Sequence, residues 1–345
     1  METQFPLAPV ADLPWLGYAS LLVIAVYFRF SRALTIRNLD LILTLLIAAA
    51  VVVSTHFRND LNSASDVRHP MYTWSSLALV VLGVLLVIRL LFDESLTRRP
   101  RLDQNLNQAG LAFLCVPAFA ILAFGVFLKP APITNVKAIE HGRALLQRRE
   151  VHVGNEISDI PAPTETLIAA GGAAVAQLSG TLPNSVSVNT GKTRSTELLV
   201  ARILVVVAHM VVILGLLYIG RQHFSSIQLG VAMSCLYLLL PCTAANVHKL
   251  SHVLPAACLI WAIASYRKPM VAGVLLGLAC GTLFFAVFLL PLWAVFYGRK
   301  GAIRFGVSVL GVVVVLATCL MMISGDADSF YYRVVSSTNW TVYRL

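Results

Sequence analysis

The chain has 345 residues, 58% of them hydrophobic and only 12% charged, with a mean hydropathy of +0.80 and a net charge of +10. Soluble domains carry about 25% charged residues. A deficit spread over most of the sequence excludes an ordinary soluble domain and indicates a polytopic membrane protein.

The apolar runs are long and continuous, without period-two alternation. Hydrocarbon offers backbone amides no partners, so such runs form helices or a closed barrel, and this pattern selects helices. The expected fold is therefore all-α, a transmembrane helical bundle of nine or ten spans. The basic residues sit in short loops: Arg29, Arg32 and Arg37; Arg98, Arg99 and Arg101; Arg267 and Lys268; Arg299, Lys300 and Arg304. That placement reads as an orientation signal, not as a nucleic-acid surface. Cys115, Cys235, Cys242, Cys258, Cys280 and Cys319 lie within or at the ends of apolar runs, with no CxxC. They read as small core residues, not as a disulfide frame or a metal site. Met1–Pro14 lacks the basic start of a cleavable signal.

In chain order, the first four runs are Trp15–Phe28, Leu41–Val53, Trp74–Leu91 and Ala109–Leu128. Arg89 is near enough to the end of the third to snorkel, and Pro117 is expected to kink the fourth. These spans make an amino-terminal region, 1–128. Residues 129–196 are the one long polar segment. Val136–Val151 has helical apolar spacing, with Glu140 and Arg143 three apart on its polar side, and reads as an interfacial amphipathic helix. NEISDIPAPTET is a turn-rich linker, TLIAAGGAAVAQLSG a second short helix, and TLPNSVSVNTGKTRST a loop. Its GKT lacks the earlier glycine of a phosphate-binding loop: position 186 is Val.

Residues 197–324 form a carboxy-terminal bundle of five or six spans. Leu198–Ile219 carries Arg202 in its first turn and His209 near its middle. Snorkelling accounts for Arg202 as well as a functional role does; a neutral imidazole bonded to a neighbouring helix is the preferred reading of His209. Ile227–Leu240 ends at Pro241, and Val253–Ala264 follows. Met270–Tyr297 is too long for one untilted span and short for two. Gly273, Gly277 and Gly281 share one face, which lets a neighbouring helix approach closely. A pair of half-spans meeting near Thr282, with Pro291 breaking the second, is preferred to one tilted helix. Phe305–Ile323 is the last run, and 325–345 is an external tail, with the natural chain expected to extend past Leu345.

The polar turn between the sixth and seventh runs, Asn246–His252, contains HKLSH. His248 and His252 are four apart and would share a face if the turn were helical, but no third metal ligand is near in sequence. A better reading is anion binding by Lys249 and the two imidazoles at a helix start, with Pro255 just inside that helix. The competing reading is a solvated interfacial turn.

From Glu197 to about Ile323 the order of features resembles the C-type (GT-C) integral-membrane glycosyltransferases, in the branch similar to polyprenyl-phosphate-mannose-dependent mannosyltransferases. The features are Arg202, the Gly220-Arg221 turn, Pro241, the turn Asn246–His252, the AGVLLGLA of Ala272–Ala279, and Pro291. Where that family often has Gly-Gln in the polar turn, this chain has His248-Lys249. The resemblance implies transfer of a sugar from a polyprenyl-phosphate sugar to an acceptor outside the cytoplasm of a bacterial inner membrane. It also implies a catalytic carboxylate in the long external segment, with Asp159, Glu140 and Glu156 as candidates and Asp159 preferred. Arg202, His248, Lys249 and His252 would bind the substrate. A divalent metal is compatible with the superfamily, and no residue here fixes one.

The rival is a non-enzymatic membrane component, either a lipid or polysaccharide transporter or an assembly subunit. An enzyme needs a carboxylate beside the HKLSH turn; a transporter needs polar residues continuing through the bundle, of which His209 is the one good example. Two crossings separate 129–196 from the turn, so both are expected on one side of the membrane, the external one.

Overall fold

A computed structural model describes residues 12–32, 34–59, 70–95, 103–150, 160–180, 191–325, 329–331 and 334. Among these residues every regular element is a helix. The helices are α1 (Asp12–Tyr27), α2 (Ile36–Asn59), α3 (Pro70–Leu91), α4 (Gln108–Leu128), α5 (Ile133–Gln147), α6 (Pro163–Leu178), α7 (Gly191–His223), α8 (Ile227–Leu239), α9 (Pro241–Ala245), α10 (Leu250–Ala264), α11 (Pro269–Cys280) and α12 (Leu289–Ile323). Among the described residues five segments are long and apolar enough to cross a membrane: Ile36–Ser54, Pro70–Leu91, Gln108–Leu128, Ser195–His223 and Phe285–Ile323. Shorter apolar helices accompany them at Gly17–Tyr27 and at α8, α10 and α11. Leu77, Val80, Leu85, Val87 and Leu91 of α3 are exposed, as lipid-facing side chains are and as side chains of a water-soluble surface rarely are. The protein is a polytopic helical membrane protein.

The chain divides into two compact units, residues 1–122 with 226–246, and residues 123–225 with 247–345. In the first, Val23, Val26, Tyr27, Leu41, Leu111, Ala232, Cys235 and Leu239 form the core. Tyr27 is fully buried, and its hydroxyl donates to the carbonyl of Ala232, the partner a buried phenol requires. The end of α1 is closed by side chains: Arg37 Nε donates to the Tyr27 carbonyl at 3.0 Å and Asn105 Nδ2 to that of Ala25 at 2.8 Å. Arg89 is ion-paired, 2.7 Å from Asp40 and 3.1 Å from Asp93, where the sequence suggested a snorkelling side chain. α4 runs on through Pro117.

The second unit pairs α5 with α6, α7 with α10, and α10 and α12 with α11. α7 has 33 residues, about 50 Å at 1.5 Å per residue, so it exceeds a hydrocarbon core of about 30 Å. Residues 191–196, expected as loop, are its first turns. α10 and α11, with 15 and 12 residues, reach only about 22 and 18 Å. Buried residues stand at the non-helical stretches at the start of α10 and the end of α11. Val247 and Leu250 are buried at the first, and Thr282 at the second.

The helical break near Thr282 is present: α11 stops at Cys280 and a short 3₁₀ segment, Phe284–Phe288, leads into α12. Gly273, Gly277 and Gly281 do face a neighbour. A Cβ on Gly273 would lie 2.6 Å from the Phe305 carbonyl oxygen, and the other two abut Val312 and Leu316. Pro291 does not break a helix; it lies in the first turn of α12, where a missing amide hydrogen costs nothing. The break falls at Gly298 instead, with φ 62° and ψ −179°. The chain folds back there: the rings of Trp293 and Phe305 stack with centroids 6.4 Å apart, whereas twelve residues of straight helix would separate them by about 18 Å.

Candidate functional site

The long polar segment is built onto the second unit. α5 lies against α6 and α7 through Ala138, Ile139, Ala169, Ala173, Ala176 and Ala201, mostly alanine, which allows close helix approach. α5 is therefore a packed helix, not one lying free at a membrane interface. Arg143 is on its buried side and pairs with Glu197 of α7; the two side chains are 4% and 12% exposed. The expected Glu140–Arg143 polar face is thus corrected. Arg143 takes a partner 54 residues away, and Glu140 is exposed.

At the other end of α5, Asn135 meets the HKLSH turn. It is 3% exposed. Its Nδ2 donates to the His248 carbonyl at 2.8 Å, and its Oδ1 accepts from the Leu250 amide at 3.4 Å. His209 of α7 bonds the neighbouring carbonyl, Val247 O, through Nε2 at 3.0 Å. Two helices therefore grip the backbone of the turn, one peptide apart. The imidazole is bonded to a neighbouring element, as the sequence suggested, and is 1% exposed.

Lys249 caps α10 with extended backbone, φ −95° and ψ 109°. His248 lies before the helix and His252 within its first turn, so the four-residue helical face supposed for the pair does not form. His248 and Lys249 are half-buried and His252 is exposed. The α10 amides behind Lys249 supply positive potential at this end. Arg202 sits one turn along α7 from Glu197; its Nη2 donates to the Lys129 carbonyl at 3.3 Å, just past the end of α4. It serves a helix end, where a cation is favoured. Among the described residues no group of three His, Cys, Asp or Glu side chains could hold a metal ion.

Of the candidate acids, Glu156 and Asp159 lie outside the described residues, and Glu140 projects to the exposed side of α5. The sequence reading passed over a fourth, Glu165. It lies in the first turn of α6 and is 2% exposed. Oε2 accepts from the Ala162 amide at 3.4 Å, and Oε1 has no hydrogen-bond partner. Burial pushes the carboxyl up to about 7, the Ala162 amide opposing it. Its neighbour Thr164 ties the helix start to α11, donating from Oγ1 to the Leu278 carbonyl at 2.8 Å and from the amide to Gly281 O at 3.3 Å. The signal was present in PAPTE: prolines leading into a helix with Glu at the third position, the place of a capping carboxylate.

Glu165 and the turn are distinct features. α5 and α6 cross where Gly142 meets Ala169 and Ala170. Asn135 and Glu165 lie on opposite sides of that crossing, about 10 Å and about 6 Å from it along their helices.

Compared with protein-family models, characterised proteins and solved structures, the chain finds no match in any of the three.

Proposed function

We propose that this protein is a membrane glycosyltransferase that takes a sugar from a polyprenyl-phosphate donor and passes it to a hydroxyl acceptor at the external face of a bacterial inner membrane. The observation that carries this reading is the grip of Asn135 on the HKLSH turn. It joins α5 of the long polar segment to the cationic turn within one unit.

In this reading Lys249, with His248 and His252, holds the donor phosphate at the start of α10, where the helix dipole adds to the field. The acceptor oxygen attacks the anomeric carbon as the bond from that carbon to the phosphate oxygen breaks. Polyprenyl phosphate leaves with the bonding pair, its charge held by the turn, and the acceptor proton passes to a carboxylate. The carboxylate comes from Glu156 or Asp159, in the segment between α5 and α6. Glu140, on the exposed side of α5, is the least suited. Arg202 bonds the Lys129 carbonyl through Nη2.

The transporter reading needs a polar path through the helices. His209, its best element, is bonded to the Val247 carbonyl and so serves the turn. Membranes containing the protein, supplied with labelled polyprenyl-phosphate sugars, should transfer label to an endogenous acceptor and release polyprenyl phosphate. No transfer from any such donor, with the protein present and folded, would favour the non-enzymatic alternative.

A further inference from the structure

Between Glu197 and Asp326 the sequence contains no Asp or Glu. Within that stretch the second unit gathers six cations at the end of α10 opposite the HKLSH turn. They are Arg221 at the end of α7, Arg267 and Lys268 between α10 and α11, and Arg299, Lys300 and Arg304 around the bend of α12. All six are exposed.

Contacts within the unit bring the three corners together. His223 bonds the Ala264 carbonyl through Nε2 at 3.0 Å, and its ring lies 5.0 Å from that of Tyr266. The Tyr297 hydroxyl donates to the Tyr266 carbonyl at 2.6 Å. Tyr266 and Phe296 are 6.1 Å apart, Trp293 and Tyr297 5.9 Å. The Arg267 guanidinium stands 5.6 Å over the Tyr266 ring.

Six like charges gathered at one end of the unit repel one another, and this stretch of the unit supplies no anion to offset them. The aromatic layer beneath them is the kind that sits at headgroup depth. The missing anions are therefore those of the bilayer itself. We infer that this end of the second unit is a binding surface for anionic phospholipid headgroups, with the phosphodiester seated among Arg221, Arg267, Lys268, Arg299, Lys300 and Arg304. The surface is separate from the proposed donor site, since α10, about 22 Å long, stands between them. It does not depend on the enzymatic reading.

The test uses the purified full-length chain, stripped of lipid in a neutral detergent, with lipid retention measured by native mass spectrometry. Phosphatidylglycerol and phosphatidylcholine of identical acyl chains are compared. Phosphatidylglycerol should be retained at least about tenfold more tightly, and the preference should shrink as salt rises. Replacing Arg267, Lys268, Arg299 and Lys300 by Gln should remove most of the preference. The variant Arg267→Lys with Arg299→Lys keeps the charge and should keep the preference. It and the salt series on the unaltered chain decide the matter if the Gln variant does not fold. Equal retention of the two lipids, or a preference untouched by both salt and charge removal, overturns the proposal. So does soluble glycerophosphoglycerol competing as well as the lipid, or an acidic peptide bound more tightly than phosphatidylglycerol.

Discussion

Asn135 holds His248 by its backbone: the amide of one side chain donates to the His248 carbonyl and accepts from the Leu250 amide. It thereby satisfies an acceptor and a donor that the irregular turn leaves outside any helix. Asn135→Ala strands both in a buried place, at a cost of about 1–3 kcal/mol each way. Asn135→Asp keeps the acceptor but sets a carboxylate oxygen against the His248 carbonyl, so it too should be less stable than the native chain. Thermal unfolding in detergent should place both variants below the native chain; an Ala variant as stable as the native chain would mean that the grip contributes nothing.

The pair Arg143–Glu197 joins α5 to α7 with little exposure. Removing either partner leaves a buried charge, a loss of roughly 3–5 kcal/mol. The double substitution Arg143→Met with Glu197→Leu should recover much of that loss. A double-mutant cycle showing simple additivity would argue that the two residues act independently.

Glu165 carries a pH signature. Its folded-state value, about 7, lies above the ordinary carboxyl range, so the folded state holds its proton where the unfolded chain has lost it. Stability should therefore fall as pH rises from about 4.5 to 7 and level off above, by on the order of 3 kcal/mol. Glu165→Gln should remove that slope and be the more stable form at pH 8. Melting temperatures of both proteins at pH 5 and pH 8 check this; an unchanged slope in the Gln variant would assign it to other groups.

Gly298 has a backbone conformation that side chains rarely adopt, with open space where a Cβ would stand. Gly298→Ala should then cost about 1–3 kcal/mol through strain alone. Loss of the Trp293–Phe305 stacking, read from tryptophan fluorescence, would accompany any straightening of α12. A stable Ala variant with unaltered fluorescence would contradict this origin of the bend.

Much of the architecture was legible because it is written in apolar run length. The helices of the first half, the break near Thr282 and the glycine face of α11 follow from local composition. So does the bonded state of His209, since an imidazole among apolar helices requires a partner. What escaped depended on pairing across the chain. Arg143 looked like a partner for Glu140 because they are three apart, yet α5 buries that side against α7, where Glu197 waits. Glu165 fell within a stretch read as turn-rich linker and became a buried carboxyl only once α6 packed on α5 and α11. Pro291 looked like a breaker because its position within α12 could not be known until the start at Leu289 was.

The central claim is that the HKLSH turn holds a lipid-linked phosphate. The direct measurement is binding of a polyprenyl-phosphate sugar to the purified chain, native against Lys249→Ala, with the parent polyprenol as the uncharged control. The native chain should bind the phosphorylated lipid at least about tenfold more tightly than the polyprenol, and Lys249→Ala should lose most of that difference, since a charge-assisted contact contributes about 1.5–3 kcal/mol. Equal affinity of native chain and variant for the phosphorylated lipid would contradict the claim.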